Sequence, residues 1–203
     1  CHKMTERYVG PALGGVVAWR WTRGVDARTA QPAAAQTSTS PAAASQSEAQ
    51  KLTRQALALL DDPMELRENF FLADELAQRA VKADPTDGEA WAVAGRVSMN
   101  LARRAFDVSP ARLELARTQI GRARSLAPAS IEGAFASALL QQRNGDVTAA
   151  EQLLLELTEK APGDWRIWME LGRLRFIKES NAEAVAAYDK AAALAPNDAR
   201  PPC

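Results

Sequence analysis

One feature constrains this chain more than any other: four segments share the pattern Ala-x3-apolar-x2-small/apolar-x4-Pro. They are Ala73-Ala77-Ala80-Pro85, Ala116-Ile120-Ala123-Pro128, Ala150-Leu154-Leu157-Pro162 and Ala184-Tyr188-Ala191-Pro196. The closing prolines follow one another at intervals of 43, 34 and 34 residues. A unit of that length cannot bury its apolar face alone, so copies must stack on one another. Apolar residues between the prolines recur at helical spacing, with turns of Pro, Gly, Asp or Ser between segments. The pattern predicts eight helices, over 47–60, 63–83, 87–104, 110–127, 130–143, 147–160, 164–178 and 181–195. Ser109 before Pro110, and Asp62 before Pro63, place a side-chain acceptor at an N-cap and a proline in the first turn. Asn144-Gly145-Asp146 reads as a tight turn between two helices.

The first helix of each pair carries a second signal. The best copy is Trp168-x2-Leu171-Gly172-x2-Arg175, and Trp91-x2-Ala94-Gly95-x2-Ser98 is another. A third is degenerate, with Ala134, Ser137 and Ala138 at the same places. Joined to the alanine–proline pattern, these residues resemble the tetratricopeptide repeat over 48–198, although no copy keeps that family's tyrosine. The resemblance implies an all-α fold, about four helix pairs stacked as a right-handed α-solenoid. Gly95 and Gly172 fall mid-helix, where glycine costs about 1 kcal/mol relative to alanine. Close approach of the paired helix, through Ala116 and Ala184, is the expected compensation. Trp168 and Tyr188 are expected to fill the space between layers. The nine extra residues of the 43-residue interval fall near 100–110, lengthening the first helix of that pair or its loop.

Composition narrows the function. The chain has 25 basic and 25 acidic residues and no net charge. Residues 1–50 hold five basic and three acidic groups, so the repeats carry no basic excess either. That argues against nucleic acid as a partner. The single histidine is His2, and the two cysteines are Cys1 and Cys203. No metal-ligand spacing, phosphate loop or nucleophile elbow occurs. The expectation is a protein that is not an enzyme, with no cofactor, no metal and no small-molecule substrate.

The N-terminal part differs from the repeats. Within 1–23, Tyr8 to Trp19 is uncharged and flanked by Arg7, Arg20 and Arg23. Twelve residues fall short of the roughly 20 that span a bilayer, so the stretch reads as a truncated anchor or part of a signal sequence. Residues 24–47 form a linker of Ala, Ser, Thr, Pro and Gln, too polar and small to offset its ordering entropy. Residues 199–203 read as a truncated end, with further repeats expected downstream. Cys1 admits a weaker lipoprotein reading. The Ala- and Arg-rich composition reads as bacterial, with the repeats tethered on one side of an inner membrane.

In the family that the chain resembles, first helices line a concave groove that holds an extended peptide or a helix. Carried onto this sequence, the partner-binding residues are Arg96, Met99 and Asn100; Phe135, Leu139 and Arg143; and Arg166, Met169, Arg173 and Phe176. Spacings of three and four put each set on one helical face. Arginines beside apolar anchors suit a protein or peptide partner with acidic groups. The chain is then a scaffold or adaptor. The alternative is a sensor or assembly domain of a larger membrane-bound regulator whose effector precedes residue 1.

Overall fold

The computed structural model describes residues 46–196. The apolar stretch 8–19, nearly all of the 24–47 linker and the end 199–203 lie outside the described residues. Among the described residues eight helices follow one another: α1 (Glu48–Leu60), α2 (Arg67–Ala83), α3 (Gly88–Arg103), α4 (Pro110–Leu126), α5 (Ile131–Asn144), α6 (Val147–Lys160), α7 (Trp165–Ile177) and α8 (Asn181–Leu194). Among the described residues there is no strand, and no helix is long and apolar enough to cross a membrane. The helices pack as successive pairs, α1 with α2, α3 with α4, α5 with α6 and α7 with α8. The first helices α1, α3 and α5 also touch in series, which makes the stack an all-α repeat solenoid.

Local chemistry sets most of the boundaries. Ser47 caps α1 in a capping box with Gln50. Ser109 accepts the Arg112 N–H at 3.2 Å, with Pro110 opening α4. Gly145, at φ 92°, stops α5 in the left-handed region that glycine enters without a Cβ clash. One expected start fails. Asp62-Pro63 does not open α2, which begins at Arg67 with no side-chain cap. The Asp62 carboxylate instead accepts the Met64 N–H at 2.8 Å and the Asn69 amide at 3.2 Å. That local turn competes with the helix and wins. The segment 61–66 is therefore an irregular strap, with Glu65 at φ 48°.

The nine extra residues are shared among three places. Compared with the α5–α6 pair, α3 is two residues longer, its connection to α4 four longer and α4 three longer. Phe106, in that connection, turns back onto α2 and packs on Phe70 with ring centroids 5.5 Å apart.

The close approach at the two glycines is present, but its partner differs from the expected alanines. A Cβ on Gly95 would lie 2.6 Å from Ile120 Cγ1, and one on Gly172 would lie 2.7 Å from the Tyr188 ring. Ile120 and Tyr188 sit one turn beyond Ala116 and Ala184, so the apolar position of the motif, not its alanine, presses on the glycine. Each tryptophan is fixed by a bond that spacing does not announce. The Trp91 indole N–H donates to Pro85 O at 2.9 Å, and Trp168 donates to Pro162 O at 3.0 Å. The closing proline of one unit thus receives the opening tryptophan of the next.

Burial converges on α3. It is packed by α1, α2, α4 and α5, and every residue from Ala92 to Ala102 is buried. Ala90, Val93, Ala94, Val97 and Leu101 join the core with α1 and α2, while Met99 joins a second core with α5, α6 and α7. Each fully buried leucine or phenylalanine contributes about 1.5–3 kcal/mol. Encirclement also traps polar side chains, each of which then needs a partner. Ser98 donates to Gln119 Oε1 at 2.7 Å, and Asn100 donates to the Arg96 carbonyl at 3.0 Å.

Candidate functional site

The concave face is built from one stripe each of α3, α5 and α7, and it is closed at one end by the strap after α1. Two cavities mark it. The first, about 80 Å³, lies beneath the strap and is lined by Arg96, Asn100, Phe135, Arg166 and Met169 together with Asp61 and Glu65. The second, about 260 Å³, is open and lined by Met99, Arg103, Leu139, Gln142, Arg143, Arg173 and Ile177. Nine of the ten residues read from the sequence as partner-binding therefore line one cavity or the other. Phe176 lines neither; it is 63% exposed on the outside of α7, and Ile177 beside it takes the cavity position.

Charge organises the closed end. Arg96 is only 4% exposed, and burial of an unpaired guanidinium there would be prohibitive. It donates to Asp61 Oδ1 at 2.5 Å and to Glu132 Oε1 at 2.7 Å. Arg166 approaches the same two carboxylates, at 3.1 and 3.3 Å, and Asp164 at 2.6 Å. Both guanidinium groups also lie over the Phe135 ring, at 5.6 and 5.9 Å from its centroid. Glu170, buried on α7, receives Arg103 at 2.7 Å and Arg173 as well. Arg104 pairs with Glu65, one of its bonds being 2.7 Å long.

These contacts join elements far apart in sequence. Asp61 and Arg166 are separated by 105 positions, and Arg103 and Glu170 by 67. The solenoid is curved tightly enough that the end of α1 meets the start of α7 across its concave face.

Titration follows the same contacts. Burial alone would raise the Asp164 and Glu170 carboxyls, but their arginine neighbours outweigh it and hold both below the ordinary range. For Arg166, burial is likewise opposed and overcome, here by Asp164, Glu132 and Asp61, so its pKa is raised further. Asp164, Glu170 and Arg166 are thus charged near neutrality.

The open end is different. Arg143 is exposed on its rim and makes no hydrogen bond or ion pair within the described residues. Beside it Ile177 is 57% exposed, next to the buried side chains of Met99 and Leu139. Arg103, Glu170 and Ile177 were not read from the sequence, although they lie seven residues from Arg96 and four and eleven from Arg166, on the same helical stripes. Asp61 could not be found that way, because it arrives from a different helix. Among the described residues no cluster of His, Cys, Asp and Glu is placed to hold a metal.

Residues 135–199 match the family model of the tetratricopeptide repeat. Over those residues the chain carries tetratricopeptide repeats. The solved PilF protein of Pseudomonas aeruginosa shares the fold, with 18% identity and a TM-score of 0.52. The match covers 74% of this chain and 62% of that one. YrrB, described as a tetratricopeptide-repeat protein with an unusual peptide-binding site, is similar at 21% identity and a TM-score of 0.47, over 71% of each chain. MamA is similar at 18% identity and 0.46, over 64% of this chain and 71% of its own. No curated protein matches the sequence. The tetratricopeptide solenoid is a protein-interaction scaffold, and proteins of this family bind protein or peptide partners.

Proposed function

We propose that this tetratricopeptide solenoid captures a segment of a partner protein at the open end of its concave face, between α3, α5 and α7. One observation carries the reading. Among the described residues Arg143 has no partner, while the arginines nearest it on the concave face, Arg103 and Arg173, are paired internally. An exposed guanidinium beside Met99, Leu139 and Ile177 offers one charge-assisted bond and an apolar seat together. The complementary ligand is a peptide with a carboxylate flanked by one or two apolar side chains. Selection of random peptides on the full chain is expected to enrich Asp or Glu next to Leu, Met or Phe. Arg143→Glu should cut binding of the selected peptides at least tenfold and leave the melting temperature within about 2 °C, since an exposed unpaired charge contributes little to stability. Selected peptides without acidic residues, or binding indifferent to Arg143→Glu, would refute the assignment.

A further inference from the structure

We infer that the strap after α1, together with Leu60 at the end of that helix, is an internal stand-in for the ligand: Leu60, Asp61 and Glu65 occupy an acidic-peptide subsite that a partner segment takes by displacing them. The inference rests on the concave-face reading above and extends it to the closed end.

The strap does in cis what an acidic ligand would do in trans. Just ahead of the strap Leu60, the last residue of α1, is buried and lines the cavity. Two of the strap's three carboxylates, Asp61 and Glu65, stand four residues apart and reach different arginines. Asp61 meets Arg96 and Arg166, and Glu65 meets Arg104. Among the described residues, the ion pairs at this end join five guanidinium groups and five carboxylates, of which the strap supplies two. With the strap seated, the charges of these described groups balance. With it lifted, two positive charges in a partly desolvated groove are left uncompensated, and such a site demands carboxylates. The arginines are also incompletely satisfied by the strap: the Nε groups of Arg96 and Arg104 are buried and have no acceptor among the described residues. A longer ligand with more carbonyl and carboxylate oxygens can meet donors that the strap leaves unused.

Beyond these ion pairs, the strap is held within the described residues chiefly by its own turn, in which Asp62 accepts from Met64 and Asn69. It belongs to no helix, Met64 at its crest is 72% exposed, and α2 begins after it without a side-chain cap. Glu65 holds a left-handed backbone conformation, which a non-glycine residue adopts at a cost. Segments with few apolar contacts open at low free energy. The stand-in also specifies its competitor: an apolar residue followed at once by a carboxylate, with a second carboxylate four residues later. A ligand that binds only when the strap is displaced has its affinity reduced by the fraction of closed molecules.

The test uses the full chain and a fluorescein-labelled peptide copying residues 58–67, followed by polarisation. Wild type is expected to bind weakly, because its own strap competes. Glu65→Gln should bind at least threefold more tightly, and Asp61→Asn with Glu65→Gln at least tenfold more tightly. The same peptide with amides at the places of Asp61 and Glu65 should bind the double variant at least tenfold more weakly than the acidic one. No gain in either variant, no preference for carboxylates, or no binding to any of the proteins would overturn the inference. If the double variant melts far below wild type, Glu65→Gln decides, since the Glu65–Arg104 pair is partly exposed. Peptide binding that Arg143→Glu abolishes and Glu65→Gln leaves unchanged would overturn the strap and leave the open-end site standing.

Discussion

Gly95→Ala and Gly121→Ala make the same chemical change in neighbouring helices and are expected to move stability in opposite directions. Gly95 lies inside α3 and Gly121 inside α4. In a helix interior, alanine in place of glycine gains about 1 kcal/mol. At Gly121 a new Cβ meets nothing within 4 Å, so most of that gain should appear. At Gly95 the Cβ would lie 2.6 Å from Ile120 Cγ1 and 3.3 Å from Ile120 N. Carbon atoms prefer separations of about 3.5–4.0 Å, so an overlap of about 1 Å has to be relieved. Rotating the Ile120 side chain does not clear the backbone nitrogen behind it, and Ile120 is itself buried. Relief therefore requires α3 and α4 to move apart, and overpacking of this kind costs about 1–3 kcal/mol. Gly95→Ala should be between neutral and about 2 kcal/mol destabilised, and less stable than Gly121→Ala by about 1–3 kcal/mol. For a domain of this size that is a difference in melting temperature of about 3–10 °C. Thermal and urea unfolding of the full chain, followed by far-ultraviolet circular dichroism, reads it. Comparing the two variants directly cancels most of any departure from two-state unfolding. Equal stability of the two variants would show that α3 and α4 do not meet at Gly95.

Two further outcomes are expected. Glu132→Gln removes a buried carboxylate that meets both Arg96 and Arg166, and should cost about 3 kcal/mol in urea unfolding; no loss would contradict the network. Acid should act through Glu170 and Asp164, whose folded pKa values lie below their ordinary 4.5 and 3.8. A depressed carboxyl stabilises the fold above its unfolded pKa and loses that contribution as pH falls through the folded one. The melting temperature should therefore fall below about pH 4.5, less steeply in Glu170→Gln than in wild type; equal acid slopes would contradict the assignment.

The helices, their order and the stacking of pairs were legible because periodicity, caps and closing prolines are local signals. Ser109-Pro110 and Asn144-Gly145-Asp146 act within a few residues, and the structure places them as those residues dictate. Asp62-Pro63 carried the same signal and misled. There the choice between capping and a tight turn was settled by Asn69 and by the hold of Arg104 on Glu65. Gly95 and Gly172 announced a close approach, but not that Ile120 and Tyr188 supply it. Which residue of the next helix presses on a glycine depends on how the two helices rotate against each other.

The candidate site divides in the same way. That Arg96, Arg143, Arg166 and Arg173 share the concave stripes with Met99, Leu139 and Phe135 follows from helical spacing within α3, α5 and α7, and the sequence determines it. Which of those arginines still has a charge to offer does not follow from spacing. Helical period fixes the face a side chain occupies, whereas the curvature of the stack decides which distant carboxylate arrives opposite it. Asp61 reaches Arg166 across 105 positions and Glu170 reaches Arg103 across 67, while no described carboxylate reaches Arg143. That curvature accumulates from small rotations at every pair interface, so it exists only in the folded solenoid.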